Sequence, residues 1–424
     1  MGHLTNPARE YRLLQQRLNR NVTGAPDSPV FMQILKLLFS PADAELARQI
    51  PTRFASLNSI SRKTKVPLGE LDEKMTDLAR RGFIIDFHRG EKRYVSLAPV
   101  VIGFFEFTFM RAREGLPMAE LARLFDIYMG QDDRFSRAVF QKETQLGRSL
   151  VREEALGPED FTEILDWERA SHIITSASAI AVSLCACRHM ESHLGKACSA
   201  PLEICLSLNF GAQSIVRNGI GKMITAAEGM KLLEQAKESG LVQTGDNVKR
   251  DLTYMCNCCG CCCGMMKAIR RFDIKNAIVT SNWLMRIDKE KCKGCGKCVK
   301  ICPVGAITLD IIEKDGKKRG RAGCEEALCL GCGVCCSACK SGAVKMKARD
   351  KKVYTPETVF DKIASMAIER GKLGDLLFEG HESWNYRALG RIISLLEKTP
   401  PVRALMAIRP LRSAFMESLI KKAK

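Results

Sequence analysis

The stretch CKGCGKCVKICP at residues 292–303 decides how this chain is read. Cys292, Cys295, Cys298 and Cys302, followed by Pro303, keep the spacing C-x2-C-x2-C-x3-C-P without a gap. CLGCGVCCSACK at 329–340 repeats it with Cys329, Cys332, Cys335 and Cys339, and Lys340 stands where a proline would match the first motif. A tight loop of that spacing wraps three thiolates around one iron-sulfur cube while its amides point at the sulfurs. The fourth cysteine opens a helix and faces the other cube. Two zinc sites would also use eight thiolates, but zinc sites pair two C-x-x-C knuckles instead of repeating a run of four. Gly305 with Ala306 and Gly342 with Ala343 complete the internal repeat and precede short strands expected at 307–311 and 344–347. Cys324 and Cys336 read as bystander thiols, since eight ligands already satisfy two cubes.

The segment 276–350 resembles the two-cluster bacterial ferredoxin family. That resemblance implies two [4Fe-4S] clusters with crossed fourth ligands. One would take Cys292, Cys295, Cys298 and Cys339, and the other Cys329, Cys332, Cys335 and Cys302. Lys289, Lys291, Lys293, Lys297 and Lys300 crowd the first motif, where they would stabilise a reduced cluster and offer an acidic redox partner a landing surface. A merely solvated basic face has the same appearance.

Ten more cysteines lie upstream: Cys185, Cys187, Cys198 and Cys205, then six in CNCCGCCCG at 256–264. They are too bunched for core thiols, and a helix between the two groups could bring them back together around a metal centre. Adjacent residues of an extended chain face opposite sides, so Cys258 and Cys259 are not expected to grip one iron. Cys187, Cys198, Cys205 and Cys258 are the expected metal ligands, for one or two further iron-sulfur clusters or a zinc ion. His189 and His193 have a spacing that suits either a ligand pair or two surface histidines. The whole arrangement, from CACRHMESH to CNCCGCCCG, is similar to a family of large ferredoxin-containing proteins of anaerobic bacteria that carry a winged-helix-like front end.

The chain has 424 residues, a length that favours several domains. Its opening MGHLTNPAREYRLLQQRL has no apolar signal core, so the cysteines are expected in a reducing cytoplasm. The apolar runs at 97–105 and 177–187 are too short to cross a bilayer, and no transmembrane segment is expected. A formal net charge of +18 keeps acidic proteins, anionic lipid and nucleic acid among the candidate partners.

The expected fold class is α+β multidomain. Residues 29–110 read as three helices and a two-stranded wing and resemble a winged helix. Leu68, Leu71, Met75 and Leu78 mark the candidate recognition helix, which Gly82 stops. That helix carries Glu70, Asp72, Glu73 and Asp77 against Lys74, Arg80 and Arg81, a poor surface for phosphates, so DNA contact is disfavoured against docking or dimerisation. Residues 113–275 form a cysteine-rich α/β middle domain, 276–350 the ferredoxin-like two-cluster domain, and 351–424 a helical basic tail. In the middle domain, Thr225 and Glu228 have capping-box spacing for a helix ended by Gly240. In the tail, Thr355 and Pro356 signal a helix start, and Leu389, Ile392, Ile393 and Leu396 form a stripe. Beyond Pro400, Arg403, Arg409, Arg412, Lys421, Lys422 and Lys424 interleave with apolar residues. Packing against protein is preferred there, and peripheral contact with an anionic membrane is the alternative.

These features point to an electron carrier or an electron-transfer subunit of an oxidoreductase, with no catalytic residues of its own. The Gly219 and Gly221 pair lacks the third glycine of a dinucleotide loop. Two other readings stay open: a reductase with its substrate at the upstream cysteines, and a redox-sensing winged-helix regulator that binds DNA.

Overall fold

A computed structural model of the chain describes residues 7–158, 164–314 and 317–378. It divides into two compact units. The first comprises the described part of 1–108, 113–144 and 360–424, and the second comprises 109–112 and 145–359.

In the first unit, helices Pro29–Leu38, Pro41–Ala47, Leu57–Thr64 and Leu68–Arg81 are followed by strands β2 (Ile84–Arg89) and β3 (Lys92–Leu97). The two-residue strand β1 (Ala55–Ser56) pairs with β3, giving the sheet order β1-β3-β2. Helix Leu68–Arg81 buries Leu71, Met75 and Leu78, while Leu68, at its first position, is 46% exposed. It ends where Gly82 takes φ 85, a conformation that costs glycine nothing. Pro41–Ala47 starts with a reciprocal cap between Ser40 and Asp43. Stacked rings at Phe39–Phe83 and Phe31–Tyr128 fill the interior.

The second unit is organised on a six-stranded sheet of order β4-β8-β9-β6-β5-β7. These strands are β4 (Gly147–Ser149), β5 (Ile180–Leu184), β6 (Glu203–Leu208), β7 (Lys222–Ile224), β8 (Val242–Asp246) and β9 (Tyr254–Cys258). Every pairing among them is antiparallel, which corrects the α/β expectation for this region. The helices do not serve as crossovers between parallel strands. Instead, Ala170–Ser176 and Ala226–Glu238 contribute to a core of Ile173, Ile174, Ile180, Val182, Leu206, Leu233 and Met255. Thr225 and Glu228 do cap Ala226–Glu238 reciprocally, and Gly240 follows it at φ 71.

In the same unit, β10 (Trp283–Ile287) pairs antiparallel with β13 (Val344–Ala348). Between them, β11 (Ile307–Lys314) and β12 (Lys317–Cys324) form a hairpin longer than the expected strand at 307–311. The helix signalled by Thr355 and Pro356 starts only at Val359. The reason is tertiary: Lys249 and Arg250 donate their amides to the carbonyls of Pro356 and Glu357, which holds that segment extended. The stripe at Leu389–Leu396 and the basic residues from Arg403 onward lie outside the described residues.

Candidate metal centres

The two cysteine motifs fold alike because glycine recurs at matching offsets. Gly294, Gly296 and Gly305 take φ 65, 69 and 72, and Gly331, Gly333 and Gly342 take 67, 78 and 63. In each half the second of these glycines caps a one-turn helix, Lys297–Ile301 or Val334–Ala338. A side chain at Gly331 would stand 2.2 Å from the Trp283 carbonyl oxygen, so glycine is needed there for close approach as well as for φ.

The halves differ in burial. Cys302 joins Cys329, Cys332 and Cys335 around one cavity, whose other walls include Met285, Leu330 and Met346. The Ala306 amide donates to the Cys302 sulfur at 3.2 Å. Burial pushes the Cys332 thiol up, whereas the bonded Cys324 thiol holds Cys329 down to about 6. Cys324 thus touches a candidate ligand, an arrangement the spacing alone does not show. On the other side, Cys295 is exposed, Cys298 is buried, and Cys292 and Cys339 are intermediate. Burial raises the Cys298 thiol, with Cys335 and then Cys339 near enough to add to that. Cys339 itself sits below its ordinary value, because the Ser341 hydroxyl and the amides of Val344 and Ala343 outweigh burial. Lys289, Lys291, Lys293, Lys297 and Lys300 are all exposed around this half.

A cavity walled by four thiols and apolar side chains, with an amide aimed at one sulfur, suits a four-iron cluster. The donor set is soft and complete, and no disulfide joins any of the twenty cysteines.

Cys185 aside, the upstream cysteines separate into two groups. Strand alternation puts Leu206 and Met255 into the core and sends Cys205 and Cys256 to the opposite face, their sulfurs 3.9 Å apart across β6 and β9. Thiol contacts continue from Cys256 to Cys258, from Cys258 to Cys263 and from Cys263 to Cys187. Cys259, the neighbour of Cys258, turns to the other side and packs with Ile204, Ala236 and Leu241. There it meets Cys198, Cys261 and Cys262. Of the four expected ligands, Cys187, Cys205 and Cys258 therefore lie in the first group and Cys198 in the second.

Arg188 is 1% exposed. It donates from Nη1 to the Pro201 carbonyl and from Nη2 to the Cys259 sulfur at 3.5 Å. The Cys262 thiol, with Arg188 beyond it, outweighs burial and holds Cys259 down to about 4. The histidines lie elsewhere: Nδ1 of His189 is 2.7 Å from the Phe109 carbonyl oxygen, and its ring stands 4.8 Å from that of His193.

Among the contacts that join the sheet to the ferredoxin-type segment, two lie beside the cysteine motifs. A Cβ at Gly260 would lie 2.3 Å from the Pro303 carbonyl oxygen, so the loop at 259–263 rests on the backbone beside Cys302. Arg152 bonds Ser337 at 2.7 Å and the carbonyls of Lys237 and Leu241, while its amide donates to the Cys332 carbonyl. Neither residue stands out in the sequence. Arg152 is one arginine among many, and Gly260 is marked only by its place amid cysteines.

Residues 285–308, which contain the first cysteine motif, match the model of the 4Fe-4S binding domain. Ferredoxin-3 of Rhodobacter capsulatus is 42% identical over 38 residues, 9% of this chain and 38% of that protein. An iron-sulfur subunit of the CoB--CoM heterodisulfide reductase of Methanopyrus kandleri is 61% identical over 31 residues, 7% of this chain and 4% of that protein. The similarity thus spans well under half the length of either relative. No solved structure matches the chain. At residues 285–308 the chain carries a ferredoxin-type 4Fe-4S binding domain.

Proposed function

We propose that this protein transfers single electrons through two [4Fe-4S] clusters, as a carrier or as the electron-transfer subunit of an oxidoreductase. One cluster is assigned to Cys302, Cys329, Cys332 and Cys335, and the other to Cys292, Cys295, Cys298 and Cys339. The observation that carries this reading is the cavity in which Cys302, from the first motif, meets three cysteines of the second. When bound, such clusters supply reversible one-electron storage. The chain does the rest: it excludes water from one half, donates amides to sulfur, and presents lysines around the other half to an acidic partner.

Cys187, Cys205, Cys256, Cys258 and Cys263 form a contiguous buried or half-buried thiol group and are the proposed seat of a further iron-sulfur centre. The front end is proposed as a winged helix used for docking. Three basic side chains of its helix and wing already have acidic partners: Lys74 pairs with Glu70, Arg81 with Asp43 and Asp77, and Arg93 with Asp72 and Asp86. Charges spent internally contribute little to phosphate binding, which counts against a DNA-binding regulator.

The test is anaerobic iron and acid-labile sulfide analysis with electron paramagnetic resonance of the reduced protein. Cys302→Ala is expected to remove about four irons and the magnetic interaction between the cubes. Unchanged iron in that variant would refute the ligand assignment, and fewer than about eight irons in reconstituted wild type would refute the two-cluster reading.

A further inference from the structure

We propose that Cys198, Cys259, Cys261 and Cys262 hold a single zinc ion in a closed tetrahedral site, separate from the electron-carrying centres. The ligating sulfurs all lie within 4.8 Å of one another. Cys198 and Cys259 are 3.6 Å apart, and Cys261 and Cys262 are 3.7 Å apart. A tetrahedron with Zn–S bonds of about 2.3 Å has edges of about 3.8 Å, so the set is already close to the size one ion requires.

The ferredoxin-type cysteines provide an internal contrast. Among the described residues, no other three or more cysteine, histidine or carboxylate side chains bring their ligating atoms within 4.8 Å of one another. Ligands of a cube each bind a different iron and must stand farther apart, because the cube lies between them. The set at Cys198 has instead the close spacing that a single ion needs.

Local backbone explains how neighbouring cysteines can share this site. Residues 260–262 form a turn, and the Cys263 amide donates to the Cys259 carbonyl at 3.3 Å. In a turn, successive side chains need not alternate, so Cys261 and Cys262 can converge, whereas Cys258 and Cys259, at the end of β9, diverge. Four thiolates around a divalent cation leave a net negative charge, and buried Arg188 lies against Cys259 to offset it. Four protein thiolates leave no open position, which is the arrangement of a structural ion. Its consequence is mechanical: the ion ties the loop carrying Cys198 to the loop carrying Gly260, and so holds Gly260 against Pro303 beside Cys302.

The experiment uses the full chain, purified anaerobically, with zinc, iron and acid-labile sulfide measured together and X-ray absorption recorded at the zinc edge. About one zinc per chain with four sulfurs near 2.3 Å is expected. Cys261→Ser, at an exposed position, is expected to lower zinc by more than about half while iron and sulfide stay at wild-type levels. Wild type without zinc, or a Cys261→Ser protein that loses iron and sulfide together, would overturn the proposal in favour of a cluster. Should the variant not accumulate, the zinc-edge spectrum of wild type decides alone: four sulfurs support the site, and any other shell overturns it. Failure of the two-cluster reading would appear separately, as low iron with zinc retained.

Discussion

Replacing Gly260 by alanine tests the contact between the cysteine loop and the ferredoxin-type segment with one methyl group. The added Cβ would lie 2.3 Å from the Pro303 carbonyl oxygen, 2.9 Å from its Cα and 3.0 Å from its carbonyl carbon. All three are backbone atoms, so no side chain can swing aside, and the two segments must separate by on the order of 1 Å. Overpacking of this kind costs about 1–3 kcal/mol. For a unit of this size, that lowers the apparent unfolding midpoint by roughly 5 °C. Because Pro303 follows Cys302 directly, the displacement also reaches a proposed cluster ligand, and the paramagnetic resonance of the reduced protein is expected to change in line shape. Gly264→Ala is the control: a Cβ there meets nothing within 4 Å, and the position opens helix Gly264–Phe272. A Gly260→Ala protein that matched Gly264→Ala in both midpoint and resonance would refute the claimed contact.

Two further predictions concern the first unit. Burial pushes the Glu106 carboxyl up to about 8, although it accepts the Gly103 amide at 2.8 Å. The unfolded chain ionises this group near its ordinary value while the folded chain still holds the proton. This contribution to stability is therefore full at acid pH, falls as pH rises from about 4.5 to 8, and then levels off, losing up to about 5 kcal/mol. Glu106→Gln is expected to flatten that slope in denaturant titrations run across the range, and an unaltered slope would exclude Glu106 as its source. Arg93 is the second case, bonding Asp86, which is 1% exposed, and also Asp72 of helix Leu68–Arg81. Arg93→Met takes the guanidinium away from a buried carboxylate and is expected to cost about 3–5 kcal/mol in urea unfolding; a loss under about 1 kcal/mol would show that the pair contributes little.

Legibility in the sequence followed the distance over which each feature is decided. The motif loops are local: cysteine spacing, positive-φ glycines and one-turn helices lie within a dozen residues, and both halves can be read directly. The capped helix Ala226–Glu238 is equally local. The upstream cysteines are not, because which thiol meets which depends on the register of β6 against β9 and on the turn at Gly260. No single-chain pattern carries that register, so strand alternation separated Cys258 from Cys259 but could not pair Cys198 with Cys259. The late start of helix Val359–Arg370 has the same origin, since backbone bonds from Lys249 and Arg250 override the local signal of Thr355 and Pro356. The antiparallel sheet went unread because buried strands joined through helices have similar composition whichever way they pair.

The unequal burial of the two motif halves bears on how electrons would enter. Cys295 is exposed beneath a fringe of exposed lysines, so a cluster there would lie close to the surface and meet a partner by charge attraction, at a rate that falls as salt rises. The Cys302 half is enclosed by residues of its own segment, and the part of the unit that carries the upstream thiols abuts it at Gly260 and Arg152. A carrier that only shuttled electrons between soluble partners would not need a thiol-rich loop packed beside its enclosed half. Under the proposed function, such an arrangement would suit a relay: an outer centre open to a redox partner, an inner one shielded from water, and the proposed upstream site in fixed register behind it. The fixed register is the part supplied by residues that hold no electron, which is why a methyl group at Gly260 is expected to matter more than one at Gly264.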